Sequence, residues 1–236
     1  MRRTLVLLSL LEAATLLPAQ ATPAMPAPVV AELFTSQSCS SCPPADALLA
    51  ELRRTRPDLL LLDFHVDYWN RLGWKDLYSS GAATERQRAY ASALGSDAYT
   101  PQLVVGGTRE MVGSDRGAVD VALAEAASEQ ASRPPIELQL GWAGAEIAVR
   151  VGTGAGHGNL VLIGFDDTHT TRVGGGENGG RTLTEVNVVR SVQPIGSWSG
   201  AALQLHAPPP AGQRAGLLLQ DGSGRILAAA VLPTAG

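Results

Sequence analysis

The sequence predicts an α/β fold whose first half mixes strands and helices and whose second half is β-rich and sandwich-like. Three observations carry this. The only two cysteines, Cys39 and Cys42, form a C-x-x-C between a strand-like run and a helix-like run. From Val29 to about Gln130 the periodicity alternates between strand and helix, whereas beyond Ser132-Arg133-Pro134-Pro135 no helical period appears.

In order, Val29 to Thr35 reads as a strand, with Val30, Glu32 and Phe34 on one face and Val29, Ala31 and Leu33 on the other. Pro43 and Pro44 suit a first helical turn, and Ala45, Leu48, Leu49 and Leu52 continue as an apolar helical stripe that must stop before Pro57. Leu59 to Val66 is nearly continuously apolar, the pattern of a strand buried on both faces of a parallel sheet. A second helix is expected from about Ala82 to Leu94, ended by Gly95. Gln102 to Val105 and Arg109 to Val112 flank Gly106-Gly107 as a tight hairpin. Asp115 is placed to cap a last helix reaching about Gln130. The order βαβ, helix, hairpin, helix is the thioredoxin-like arrangement, with C-x-x-C at its first strand-to-helix junction.

The expected division is a signal peptide and spacer over residues 1–28, a thioredoxin-like domain over 29–132 and a β-rich domain over 136–234. The β-type segments of the last are Ile136 to Leu140, Ile147 to Val151, Leu160 to Phe165, Leu183 to Val192, Leu203 to His206, Leu217 to Gln220 and Ile226 to Val231. An antiparallel sandwich packed on the first domain, or a β-extension of that domain, satisfies them. At the N-terminus Arg2 and Arg3, the largely apolar Thr4 to Leu17 and Ala19-Gln20-Ala21 read as a cleaved export signal, although Glu12 interrupts the apolar run. A periplasmic or secreted bacterial protein is expected, in a compartment where a cysteine pair forms a disulfide.

Composition excludes several classes. A net charge of −4 supplies no basic stripe for nucleic acid and no polybasic membrane anchor. The single lysine, Lys75, lies in no P-loop or Schiff-base setting. The segments Gly174-Gly175-Gly176 and Gly179-Gly180 open no helix and read as a flexible loop, and His157, His169 and His206 lack a compact ligand spacing. No organic cofactor is implied.

Several motifs resemble the secreted bacterial family catalogued as domain of unknown function 1223. They are Glu32-Leu33-Phe34-Thr35-Ser36-Gln37 running into the cysteines and Pro43-Pro44-Ala45-Asp46, then Phe64-His65-Val66-Asp67-Tyr68-Trp69, Leu72-Gly73-Trp74, Tyr99-Thr100-Pro101-Gln102 and Gly113-Ser114-Asp115-Arg116. The later Glu177-Asn178, Arg181-Thr182-Leu183-Thr184 and Asn187-Val188-Val189-Arg190 match as well. The resemblance spans essentially the whole chain after the leader and implies a thioredoxin-like fold without an established activity, so function has to be argued from the site.

A cysteine at a helix start lies over unpaired N–H groups and the positive end of the dipole, which favours thiolate. Cys39 is therefore the expected nucleophile, more exposed and more acidic than its neighbour, and Cys42 the resolving thiol of a thiol–disulfide oxidoreductase. Its partners would be a protein or peptide thiol or disulfide and a redox partner protein. A bridge closing so short a loop adds only roughly 2 kcal/mol in the chain-entropy model, a modest structural return. Thr100-Pro101 resembles the residue and cis-proline that face the cysteines in thioredoxin-like proteins. Glu32 is expected either to take the proton of Cys42, comparable to the buried acid of thioredoxins, or to be a salt-bridged structural residue. Asp67, Tyr68, Trp69 and Trp74 follow the carboxyl end of the second strand, where ligands of α/β sheets bind, and read either as a substrate wall or as aromatics packed beside a core histidine. Two other classes remain open: a Cu(I) carrier using Cys39, Cys42 and His65, and a binding module with an inert disulfide.

Overall fold

The computed structural model describes residues 27–233. The positive n-region, apolar run and Ala19-Gln20-Ala21 of the expected export signal lie outside the described residues. Within them no helix is long and apolar enough to cross a membrane.

The first half forms β1 (Val29–Thr35), α1 (Pro43–Thr55), β2 (Leu59–His65), a short 3-10 helix (Tyr68–Leu72), α2 (Gly81–Leu94), β3 (Gln102–Val105), β4 (Arg109–Val112) and α3 (Arg116–Ala131). Local chemistry sets most of these bounds. The two prolines at the start of α1 occupy positions whose N–H groups would be unpaired in any case. Ser80 caps α2 by accepting from the Ala83 amide, and Gly95 ends it in the left-handed region at φ 67°. Asp115 caps α3 by accepting from the Ala118 amide. β1 lies between β2, to which it is parallel, and β3, to which it is antiparallel.

The second half forms β5 (Leu138–Ala143), β6 (Glu146–Val151), β7 (Gly158–Arg172), β8 (Thr182–Trp198), β9 (Leu203–Ala207), β10 (Arg214–Gln220) and β11 (Ile226–Val231). It is not a sandwich built on its own two sheets. Four of its strands continue the sheet of the first half, in the order β11-β10-β7-β8-β2-β1-β3-β4, and β5, β6 and β9 form a separate three-stranded sheet. The β-extension weighed from sequence is thus the larger part of the arrangement. The physical reason is the β2 edge. Without β8, the edge of β2 at Leu61 and Asp63 would be left without a partner.

The result is a mixed α/β fold with a mostly sheet core and few helices. One face of the large sheet carries a continuous cluster around Val30, Phe34, Phe64, Tyr90, Ile163 and Phe165, on the side of α2. The opposite face splits in two. Ala31, Leu33 and Leu61 pack on α1 and α3, whereas Leu160, Leu162, Leu217 and Leu219 pack on Ile147 and Val149 of the small sheet.

The seam between the halves is short. β8 meets β2 in parallel at Asp63 opposite Val188. Beside it, Asn187 adopts φ 54° and its buried side-chain amide donates to the Leu61 carbonyl at 2.9 Å, replacing a ladder bond. Asparagine tolerates this conformation better than other residues with a Cβ. Replacing Asn187 by Ala is expected to lower stability by roughly 2–3 kcal/mol, and Asn187→Gly by less because it restores the backbone freedom. Urea unfolding midpoints of the two variants measure this; equal losses would show that the backbone conformation contributes nothing.

Candidate functional site

Cys39 and Cys42 form a disulfide in the loop joining β1 to α1, with Cys42 at the N-cap of the helix. The Cys42 carbonyl accepts from the Ala45 and Asp46 amides, and the Cys39 carbonyl accepts from the Cys42 amide. Both cysteines are 0 % exposed. The expectation of an exposed Cys39 is therefore corrected in this disulfide form, because the loop is held down from three sides.

The first side is Thr100. Its hydroxyl lies 3.3 Å from Cys39 Sγ, and the Trp69 indole donates to the same hydroxyl at 2.8 Å. The Thr100-Pro101 bond is cis. Ser41 Oγ also lies 3.3 Å from the sulfur, and Trp69 reaches Cys39 only through Thr100. Trp74 sits one step away, donating to the Gln37 side chain at 3.0 Å. Tyr68 packs against the cluster on the α2 side, where burial raises its pKa. Asp67 is turned to α2 instead, accepting from the Thr84 hydroxyl at 2.6 Å, so its contacts are structural.

Glu32 is the second correction. Its carboxylate receives Arg86 through two nitrogens and the Tyr90 hydroxyl, and Tyr90 in turn receives Gln220. Arg86 also lies over the Phe64 and Tyr90 rings. The even-numbered positions of β1 face α2, away from α1, so Glu32 is the salt-bridged structural residue and no proton acceptor for Cys42.

The second side of the loop rests on a buried polar cluster that only the fold assembles. Asp63, His65, Asp76 and Glu185 are all 1 % exposed or less, and Asp46 is 7 % exposed. The Asp76 carboxylate accepts from the Gln37 amide at 2.7 Å and the Tyr78 amide at 2.9 Å, with His65 Nδ1 at 2.8 Å. His65 Nε2 lies 3.5 Å from Asp63. Gln37 donates to Glu185, and the Thr35 hydroxyl donates to Asp46. Both His65 nitrogens face carboxyl groups, so the Cu(I) set of Cys39, Cys42 and His65 is not assembled; the described residues hold no metal-binding cluster of three or more such side chains.

Burial sorts the charges. It acts to lower the His65 pKa, yet Asp76 and Asp63 hold it well above its ordinary value. It acts to raise Asp76, yet His65 and the amides keep that carboxyl below its usual range. Burial dominates the remaining acids, raising Asp46 well above normal, raising Asp63, and pushing Glu185 up to about 7. The cluster thus centres on the His65–Asp76 pair, with Asp46, Asp63 and Glu185 shifted upward around it by burial. Asp46 is four residues beyond Cys42 on α1, so the two share one helix face.

The third side is the Gly-rich segment between β7 and β8. The Glu177 carboxylate accepts from the Ser40 amide at 2.9 Å and hydroxyl at 2.7 Å, and the Glu177 amide donates to the Ser38 carbonyl. Asn178, 0 % exposed, donates to the carbonyls of Gln37 and Cys39. Sequence reasoning passed over Asp46, Asp63, Asp76, Glu185, Glu177 and Asn178 as site residues. Asp63 inside an otherwise apolar strand and Asp46, four residues past Cys42, were the local signals; Asp76, Glu185, Glu177 and Asn178 are brought in over long sequence distances.

These features define a mixed α/β protein with a disulfide at a strand-to-helix junction, backed by buried acids. The chain belongs to the family described as protein of unknown function (DUF1223), whose model matches residues 30–219. It is similar to a protein of Agrobacterium tumefaciens with an X-ray crystal structure, at 32 % identity and a TM-score of 0.74, over 90 % of this chain and 98 % of that one. Its fold is similar to that of HBP35 of Porphyromonas gingivalis, at 13 % identity and a TM-score of 0.60, over 91 % of this chain and 79 % of that one. No curated protein matches it.

The cluster gives stability a definite pH dependence. An acid with its folded pKa above its unfolded one binds more protons when folded, so its share of stability is full below about 4.5 and is lost as pH rises through about 7 for Glu185. A raised His65 acts in the same direction, whereas the lowered Asp76 contributes above its unfolded value and is lost only in stronger acid. Ionising Glu185 costs roughly 3 kcal/mol. The urea midpoint is expected to fall between pH 5 and pH 8.5, and Glu185→Gln to flatten that decline. An unchanged slope in the variant would remove Glu185 from the account.

Proposed function

We propose that this protein is an exported thiol–disulfide oxidoreductase of the thioredoxin-like type, acting on protein or peptide thiols in the periplasm or outside the cell. The observation that carries the reading is the Cys39–Cys42 bridge at the start of α1, with the Thr100 hydroxyl against Cys39 Sγ. The order of β1, α1, β2, α2, the β3–β4 hairpin and α3 supports a thioredoxin-like first half. The export signal read in residues 1–28 supports the location.

In the oxidising direction a substrate thiolate attacks Cys39 Sγ, the Cys39–Cys42 bond breaks, and Cys42 leaves as a thiolate. A second substrate thiolate then attacks the mixed disulfide and releases Cys39. The substrate loses two electrons and two protons, and the cysteine pair gains them. The reverse sequence reduces a substrate disulfide. The helix start stabilises the anionic sulfur, and Thr100 supplies a hydroxyl donor to it. Asp46, on the Cys42 side of α1 with its pKa raised by burial, is suited to exchange a proton with Cys42. Thr100, Pro101, Tyr68, Trp69 and Trp74 bound the substrate side in this reading.

A second reading follows from the zero exposure of both cysteines: an inert bridge that fixes a binding loop. The two readings separate in one experiment. Cys42→Ser leaves Cys39 without its resolving partner, so the exchange reading expects mixed disulfides with envelope proteins, visible on non-reducing gels and lost in Cys39→Ser/Cys42→Ser. If Cys42→Ser traps no more than the double variant, the inert bridge is the function of the pair.

A further inference from the structure

The strap from Val173 to Arg181 does more than cover the cysteine loop. It satisfies, one by one, the groups that a bound peptide would meet there. Gln37, Ser38 and Cys39 each present a carbonyl to it, and Ser40 presents its amide and hydroxyl. The strap answers with the Asn178 amide for the first and third carbonyls, its own Glu177 backbone N–H for the second, and the Glu177 carboxylate for Ser40. The Asn178 side chain is itself fixed, since Arg181 donates to its oxygen at 2.7 Å.

The fit is close. Gly176 has φ 69°, and a Cβ there would lie 2.6 Å from Ser38 Oγ. A Cβ on Gly174 would lie 2.6 Å from the Trp74 ring. The glycines are therefore what lets the strap descend onto the loop. Glu177 is exposed and its carboxyl lies below the usual range because of the Ser40 amide and hydroxyl, so it is an anion bound from solvent and not a core residue. With the strap closed, both cysteines have no exposed surface.

We propose that the strap is an internal stand-in for substrate: Glu177 occupies a carboxylate position at Ser40, and lifting the strap opens a docking site for an extended acidic peptide beside Cys39. This rests on the exchange reading above, because an inert bridge has no substrate to imitate. The incoming peptide replaces the strap group for group, its N–H groups on the freed carbonyls and its acidic side chain on the Ser40 amide and hydroxyl.

The test uses two cysteine peptides alike except for Glu or Gln beside the thiol, each activated as a mixed disulfide with thionitrobenzoate. In a Cys42→Ser background, Cys39 attacks the peptide sulfur, the peptide–thionitrobenzoate bond breaks, and thionitrobenzoate leaves as a coloured thiolate that reports the rate. Adding Glu177→Ala, an exposed change that leaves the core intact, is expected to raise the rate with the Glu peptide about tenfold. The Glu peptide is then expected to react several-fold faster than the Gln peptide, and Ser40→Ala to reduce that preference.

Equal rates with and without Glu177 would overturn the strap as a barrier. An increase shared equally by both peptides would overturn the carboxylate position. Neither result depends on trapping in cells. A lack of trapped envelope protein would count against the exchange reading on which the proposal rests, while trapping without any effect of Glu177 would keep that reading and overturn the strap alone.

Discussion

The rest of the site depends on one buried anion, Asp76. An ionised carboxylate out of water is tolerated only when its oxygens are matched by charge and donors, and here the match comes from His65 and the amides of Gln37 and Tyr78. Each donor belongs to a different piece of the site. Gln37 leads into the cysteines, His65 ends β2, and Tyr78 lies in the segment before α2. The same carboxylate therefore fixes the height of the cysteine loop over the sheet and holds the imidazole charged. A neutral residue at that position would leave the imidazolium and the Gln37 amide without their main partner, and the loop would lose its floor.

That constraint extends through the seam between the halves. Glu185 lies on β8, and it reaches Gln37 because β8 runs beside β2 at Asp63 and Val188. The strap itself, the turn that ends just before Thr182, is held on the cysteine loop by Glu177 and Asn178. A disulfide at the first strand-to-helix junction and a loop from the far side of the chain meet because one sheet contains both. A sandwich docked as a separate body would have required an interface to do the same.

Much of the first half was legible in the sequence for local reasons. Paired prolines, Gly95, Gly106-Gly107 and the cap at Asp115 each act within a few residues, and their elements begin and end within a residue or two of the expected places. Trp69 could be expected near the cysteines from its position after β2, and Thr100 from the Thr-Pro pair that leads into β3. The second half was less legible. Leu160 to Phe165 reads as six residues but belongs to the fifteen-residue β7, because the polar stretch beyond Phe165 continues as a strand held by pairing with β8. Glu32 misled because an acid on the strand before the cysteines looks the same from either face of the sheet, and only the placement of α2 decided which face meets Arg86. Glu185 and Asp76 carry no local pattern at all, and the Glu177-Asn178 pair gives no sign that it meets the cysteine loop.

The buried cysteines and the acid-rich floor place opposite demands on the same loop. On the proposed exchange reading, chemistry at Cys39 needs an approach path, whereas acids whose pKa is raised by burial need water excluded from beneath Cys42. A fixed opening would wet the cluster, and with water to solvate the carboxylates, Asp46 and Glu185 would revert toward ordinary values. On the proposed reading, a cover held by the Glu177 carboxylate and backbone N–H and the buried Asn178 amide meets both demands, leaving from the solvent side while Asp76, Thr35 and Gln37 keep the floor closed. Access and proton holding are thus assigned to different sides of the loop. On this arrangement the glycines of the strap serve the upper side and the charge of His65 serves the lower, and the disulfide lies where the two meet.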